Sequence, residues 1–168
     1  MSRRPDGRLA MDFPAWPAQP TDAARSVSEA LALHVEWTGR TENGFFLLAL
    51  LENERAVRDL EPDLDAIAAL DASALIVTAA AEAGDDYDFV SRLFGPKVGI
   101  PEDPVTGSSH TVLGPFWGER LGRTSLVGLQ TSARPGSVGI ELVGERVTII
   151  GRAVTVADGT LTAPALPG

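Results

Sequence analysis

Apolar and polar positions along this 168-residue chain follow two rhythms. In "GFFLLALLE" (44–52) and "SALIVTAAA" (73–81) apolar residues run almost unbroken, the pattern of strands buried on both faces. "DYDFVSRLF" (86–94) reads as a further buried strand. Elsewhere the spacing is three to four. Val27, Ala30, Leu31 and Leu33 stripe a helix over roughly 23–33, with Thr21 or Asp22 as its cap. "NERAVRDL" gives a short helix. "EPDLDAIAAL" gives another, with Pro62 near its first turn and Leu64, Ile67, Ala68 and Leu70 facing inward.

The run "TVLGPFWGERLG" (111–122) differs from these. Val112, Leu113, Phe116, Trp117 and Leu121 are apolar on more than one side, as in a helix wrapped by other elements. Pro115 inside it predicts a kink, and Gly122 suits the C-terminal cap. The chain then turns to β: "SLVGLQTSA" (125–133), "SVGIELVG" (137–144), "RVTIIGRAVTVADG" (146–159) and "TLTA" (160–163). Gly144-Glu145 and Asp158-Gly159 are hairpin-turn signals. At the other end, residues 1–6 read as disordered, "RLAMDF" as one short strand, and "PAWPAQP" (14–20) as a stiff extended linker. The fold class is α+β, with one buried helix, strands on both sides of it in sequence, and smaller helices outside. Residues 1–20 form a tail, strand and linker; residues 21–168 form the body.

Composition narrows the function classes. Hydrophobic residues make up 44% and charged residues 22%, an ordinary globular balance. The absence of cysteine removes disulfides, thiolate metal sites and thiol chemistry. Two histidines far apart make a poor zinc site, so no metal is expected. A net charge of −9 without a basic stripe argues against nucleic acid; Arg3, Arg4 and Arg8 are the sole basic cluster. The longest strongly apolar run, Phe45 to Leu51, is far short of the roughly 20 residues a membrane helix needs. No secretory signal follows the basic start, so a soluble cytoplasmic protein is expected.

Candidate chemistry concentrates in "EDPVTGSSH" (102–110). Pro104 biases Asp103 toward extended angles, and Thr106 is a suitable N-cap. Gly107, Ser108 and Ser109 then fall in a first turn whose N–H groups lack helical partners. Free donors, hydroxyls and the positive end of the helix dipole make an anion site. Asp103 just upstream is placed to hold an amine or pass a proton. Plain capping explains the same pattern. His110 reads as a structural first-turn residue and His34 as an exposed strand end. In "QTSAR" (130–134), a strand would point Gln130, Ser132 and Arg134 to one face. That face is either the wet side of a sheet or a polar wall, with Arg134 bracing Glu102 or Asp103.

"DFVSRLFGPKVGIPEDPVTGSSHTVLGPFWGERLGRTSL", "LQTSARPG" and "RVTIIGRAVTV" together resemble the second half of the phenazine biosynthesis PhzF-like family, similar in fold to diaminopimelate epimerase. "YDFVSR" (87–92), "EDPVTGS" (102–108) and Gln-x-Ser-x-Arg (130–134) match in order and spacing, and "MDFPA" (11–15) resembles the crossing between that family's lobes. The resemblance implies two similar lobes, each a curved, mainly antiparallel sheet around a central helix (here about 106–121), with the active site between them. It implies an isomerase that moves a proton on a small carboxylate- or amine-bearing metabolite, without cofactor or metal. The best-known member acts on dihydro-3-hydroxyanthranilate.

In that scheme a first-lobe glutamate is the acid/base. The resemblance implies that Asp103 and Ser108 are the catalytic residues here, contacting substrate from the second lobe. Gly107 joins them in binding, and Glu102, Thr106, Gln130, Ser132 and Arg134 support the wall. Two departures stand out. Arg134-Pro135-Gly136 replaces the family's Arg-Gly-Gly, so the local bulge must differ or shift to Gly136. Nothing matches the first lobe's glutamate-bearing motif, so the expectation is half an active site, from a truncated or split gene, inactive alone. The alternative is a non-catalytic lone lobe that binds or self-associates. The expected partners are a small-molecule substrate and either a second copy or a separately encoded first lobe.

Overall fold

A computed structural model describes residues 1–159. Ten strands form one sheet: β1 (Ser2–Arg3), β2 (Leu9–Pro14), β3 (Gln19–Pro20), β4 (Val35–Arg40), β5 (Phe46–Leu51), β6 (Ala74–Ala80), β7 (Phe89–Phe94), β8 (Ser125–Gln130), β9 (Gly136–Val143) and β10 (Arg146–Gly151). Their order is β1-β2-β10-β9-β8-β7-β6-β5-β4-β3. Among the described residues four α-helices join them: α1 (Ala24–Leu31), α2 (Glu54–Arg58), α3 (Leu64–Ala69) and α4 (His110–Leu121).

Among the described strands, only β5–β6 and β7–β8 pair in parallel. Each parallel pair needs a crossover, through α2 and α3 in the first case and α4 in the second. β6 and β7 are antiparallel, so the two crossovers step the same way along the sheet over strands of opposite direction. Crossovers of one hand then fall on opposite faces. The core divides accordingly. Leu47, Ala49, Leu51, Leu75, Val77, Val90 and Phe94 face α1–α3. Their alternate neighbours Phe46, Leu48, Ile76, Phe89 and Leu93 face α4. This two-sided burial is why the strands read as continuous apolar runs.

α4 buries Val112, Leu113, Phe116 and Trp117 against β5–β10. Trp117 stacks on Phe89 at 5.7 Å, and its indole N–H donates to Thr78 Oγ1 at 3.0 Å. Close approach to β9 requires Gly114, since a Cβ there would lie 3.0 Å from Ile140. Gly122 caps the helix at φ 63, as its sequence position implies. β2 and β3 are neighbours in sequence but lie near opposite ends of the sheet. Residues 15–18 therefore cross the seam over α4, pinned by Ala15 N–H to Glu145 O at 2.8 Å and Trp16 N–H to Thr111 O at 3.0 Å.

Several expectations need correction. Residues 2–3 pair with β2 instead of being disordered, and Arg4 bonds Glu141 across the sheet. Leu121 is exposed. β8 ends at Gln130, and β10 ends at Gly151 instead of running to 159. "TLTA" and the second arm of the Asp158-Gly159 hairpin lie outside the described residues. No described helix is long and apolar enough to cross a membrane.

Candidate functional site

The 102–110 stretch connects β7 to α4. After Phe94 a 3-10 turn at Pro96–Val98 leads through Gly99, with φ 79, into a bridge between Gly95 and Ile100. Asp103 N–H then bonds Leu93 O at 3.1 Å, so the segment lies along the end of β7.

Gln130, fully buried at the end of β8, ties the loop together. Its Oε1 accepts Thr106 N–H at 2.8 Å. Its Nε2 donates to Asp103 O at 2.7 Å and to Thr106 Oγ1 at 3.2 Å. Ser132 Oγ donates to Pro104 O at 2.7 Å. Thr106 is not the N-cap. Its hydroxyl donates to the Asp103 carboxylate, and α4 starts at His110 with Ser109 as N-cap. A tight turn leads in, His110 N–H bonding Gly107 O and Thr111 N–H bonding Ser108 O, both at 3.1 Å.

Two consequences follow for chemistry. The N–H groups of Gly107, Ser108 and Ser109 have no acceptor among the described residues. Asp103 is half-buried, with Oδ2 bonded to Thr106 and Oδ1 without a partner among those residues. Ser108 is exposed beside them. The site thus offers unpaired amides at a helix start, a free hydroxyl and a carboxylate oxygen. A groove of about 840 Å³ opens next to Gly107, walled by Val105, Gly136, Gly151 and Arg152.

Glu102 faces the other way. Arg92 Nε and Nη2 donate to its two oxygens at 2.7 and 3.1 Å. Arg92 Nη1 reaches Val57 O at 3.3 Å and Leu60 O at 2.5 Å, at the end of α2. The site loop is therefore bolted to the outer helical layer. The sequence reading gave this role to Arg134, which is exposed and makes no ion pair among the described residues. The strand that would have aligned 130, 132 and 134 ends at 130, so Gln130 turns inward and Arg134 leaves the wall. A lone arginine inside the apolar "FVSRLF" was the signal for Arg92. Gly136 does not need a positive φ; a Cβ there would lie 2.6 Å from Val105 Cγ2.

His110 is fully buried, its Nδ1–H donating to Thr106 O at 2.7 Å. Burial pushes its imidazole down to about 4, against the opposing effect of that bond. It is a neutral, structural ring. No cluster of three or more His, Asp or Glu suited to a metal occurs among the described residues.

Residues 10–159 match the PhzC-PhzF model, described as phenazine biosynthesis-like protein. An uncharacterized isomerase of Pseudomonas aeruginosa is 46% identical over 159 residues, covering 94% of this chain and 59% of that protein. The mouse phenazine biosynthesis-like domain-containing protein 2 is 35% identical, covering 96% and 62%. A PhzF-family crystal structure from Enterococcus faecalis superposes with a TM-score of 0.83 at 36% identity, covering 92% of this chain and 57% of that one. It shares the diaminopimelate-epimerase-like fold. The chain spans about three-fifths of the length of the relatives it matches.

Proposed function

The chain belongs to the phenazine biosynthesis-like (PhzC-PhzF) family, and on that premise we propose that it forms one side of the active site of an isomerase. The reaction is a cofactor-independent proton shift on a small metabolite bearing a carboxylate or amine. The observation that carries this reading is the pairing of Asp103 with the unpaired amides of Gly107, Ser108 and Ser109. Anionic substrate groups sit on the amides, where the helix dipole favours negative charge. Asp103 Oδ1 binds an amine or takes part in the proton transfer, while the Thr106 hydroxyl fixes the other oxygen. Ser108 Oγ completes the contact. Gln130, Ser132 and the Arg92–Glu102 pair hold the loop in place before substrate arrives.

Proton transfer at carbon needs an acid/base on the opposite face of the substrate. In this reading that group is a glutamate supplied by the family's other lobe. The chain alone therefore binds but does not turn over. Hydrogen exchange from D2O into dihydro-3-hydroxyanthranilate tests this. The chain alone gives none. The chain combined with the remaining portion of the Pseudomonas relative exchanges, and Asp103→Asn removes the exchange. Turnover by the chain alone, abolished by Asp103→Asn, would overturn the half-site reading; exchange in the combined protein that survives Asp103→Asn would overturn the role of Asp103.

A further inference from the structure

The peptide joining Thr106 to Gly107 carries one of the site's unpaired amides, and its carbonyl end is held from inside the protein. In a regular helix the Thr106 carbonyl would accept the backbone N–H of His110, four residues on. Here that N–H goes to Gly107 O at 3.1 Å. Two side chains take its place on the Thr106 carbonyl: His110 Nδ1–H at 2.7 Å and Ser109 Oγ–H at 2.8 Å. Both residues are buried.

The partner fixes the tautomer of the ring. A carbonyl oxygen only accepts, so a bare Nδ1 at 2.7 Å from it would set two acceptors against each other. The hydrogen therefore sits on Nδ1. Nε2 has no partner among the described residues and needs none to donate to. Gly128 makes room for it, since a Cβ there would lie 3.2 Å from Nε2. Protonation of the ring would leave the Nδ1–H bond in place, because both nitrogens then carry hydrogen.

The 106–107 peptide is trans and planar, so its C=O and N–H point opposite ways. A carbonyl drawn inward to His110 and Ser109 turns the Gly107 N–H outward, where Gly107 borders the groove of about 840 Å³. Glycine at 107 makes this clamp necessary. Turning a central turn peptide over gives the residue after it a positive φ, which glycine accepts at no steric cost. Without the clamp, the peptide can present either its N–H or its C=O to the groove, and the C=O repels an anion. We infer that His110 and Ser109 are positioning residues: by holding the Thr106 carbonyl they aim the Gly107 N–H at an anionic substrate group. This role rests on the site reading proposed above, and neither side chain touches the substrate.

NMR on the full chain tests it. Ring nitrogen shifts of His110 show hydrogen on Nδ1 and none on Nε2 at neutral pH; the opposite tautomer overturns the proposal without any substitution. Residual dipolar couplings report the direction of the Gly107 N–H. His110→Phe keeps a buried ring and removes one donor, and Ser109→Ala removes the other. Together they change the Gly107 coupling while those of residues 112–120 stay. They also weaken acetate binding at residues 107–109 by about tenfold or more, the worth of one hydrogen bond to a charge. Each single substitution gives a smaller change of the same kind. Thr78→Val is the control: it loses the bond from Trp117 and destabilises the fold, yet leaves the Gly107 coupling and acetate affinity unchanged. A Gly107 coupling unchanged in every variant overturns the clamp. A changed coupling with undiminished acetate affinity overturns its role in binding. Absence of acetate shifts in the original chain, with the Gly107 coupling as expected, overturns the anion seat itself and the positioning role with it.

Discussion

Gln130 holds Asp103 without touching its carboxylate: Nε2 donates to the Asp103 backbone carbonyl at 2.7 Å, while Oε1 accepts Thr106 N–H at 2.8 Å. One amide from the end of β8 thus sets the backbone on both sides of Pro104, and the carboxylate is aimed through Thr106. Gln130→Leu keeps the volume and removes all three bonds, leaving partly buried backbone groups unpaired. The expected loss is about 2–4 kcal/mol in urea unfolding. In amide NMR, shifts should concentrate at residues 103–107.

Arg92 and Glu102 are the second anchor. Arg92 is almost fully buried and satisfies Glu102 and two carbonyls at once. Arg92→Met leaves Glu102 and the Val57 and Leu60 carbonyls without this donor, at a cost of about 3 kcal/mol. Glu102→Gln keeps an acceptor but loses the charge, costing about 1–2 kcal/mol. The buried geometry screens weakly, so both values hold between low and moderate salt, unlike those of surface pairs such as Arg25–Glu29. Urea midpoints at two salt concentrations check this.

These anchors show where sequence reading reaches and where it stops. Buried strands and α4 were legible because burial leaves a periodic trace in residue type. The loop "EDPVTGS" was legible because glycine, proline and hydroxyl residues have local conformational reasons to be there. Which arginine meets Glu102 was not legible. That choice follows from the loop folding back along β7, where Asp103 N–H bonds Leu93 O and sets Glu102 beside Arg92, while β8 ends at Gln130, before residue 134. Thr106 fits an N-cap locally, but Asp103 and Gln130 compete for its hydrogen bonds and win. β1 was missed for a similar reason, since its order depends on Arg4 reaching Glu141 from 137 positions away.

His110 gives the fold a pH dependence. Its ring titrates near 6.5 in an unfolded chain and is pushed down to about 4 by burial in the folded one. Between those values the unfolded chain binds more protons, so stability rises with pH. From this group alone, stability falls by about 1.4 kcal/mol per unit as pH drops from about 6.5 toward 4. The expected readout is a slope in unfolding free energy that His110→Gln removes between pH 5 and 6.5. A ring NMR signal with a midpoint near 6.5 in the folded protein would contradict it.

Gly107 separates function from folding most cleanly. A Cβ built there meets nothing within 4 Å, and its φ is not in the left-handed region, so Gly107→Ala fits the fold. Alanine also restricts the unfolded chain, so stability should hold or rise by about 0.4–1 kcal/mol. The added methyl nevertheless stands beside the unpaired amides of Ser108 and Ser109, where an anion needs close approach to the main chain. Titration with acetate or sulfate, followed by amide NMR, should shift residues 106–109 in the original chain and leave them nearly still in Gly107→Ala. Equal shifts in both proteins would mean the amides do not seat the anion. No shift at 106–109 in either would make the stretch a cap alone.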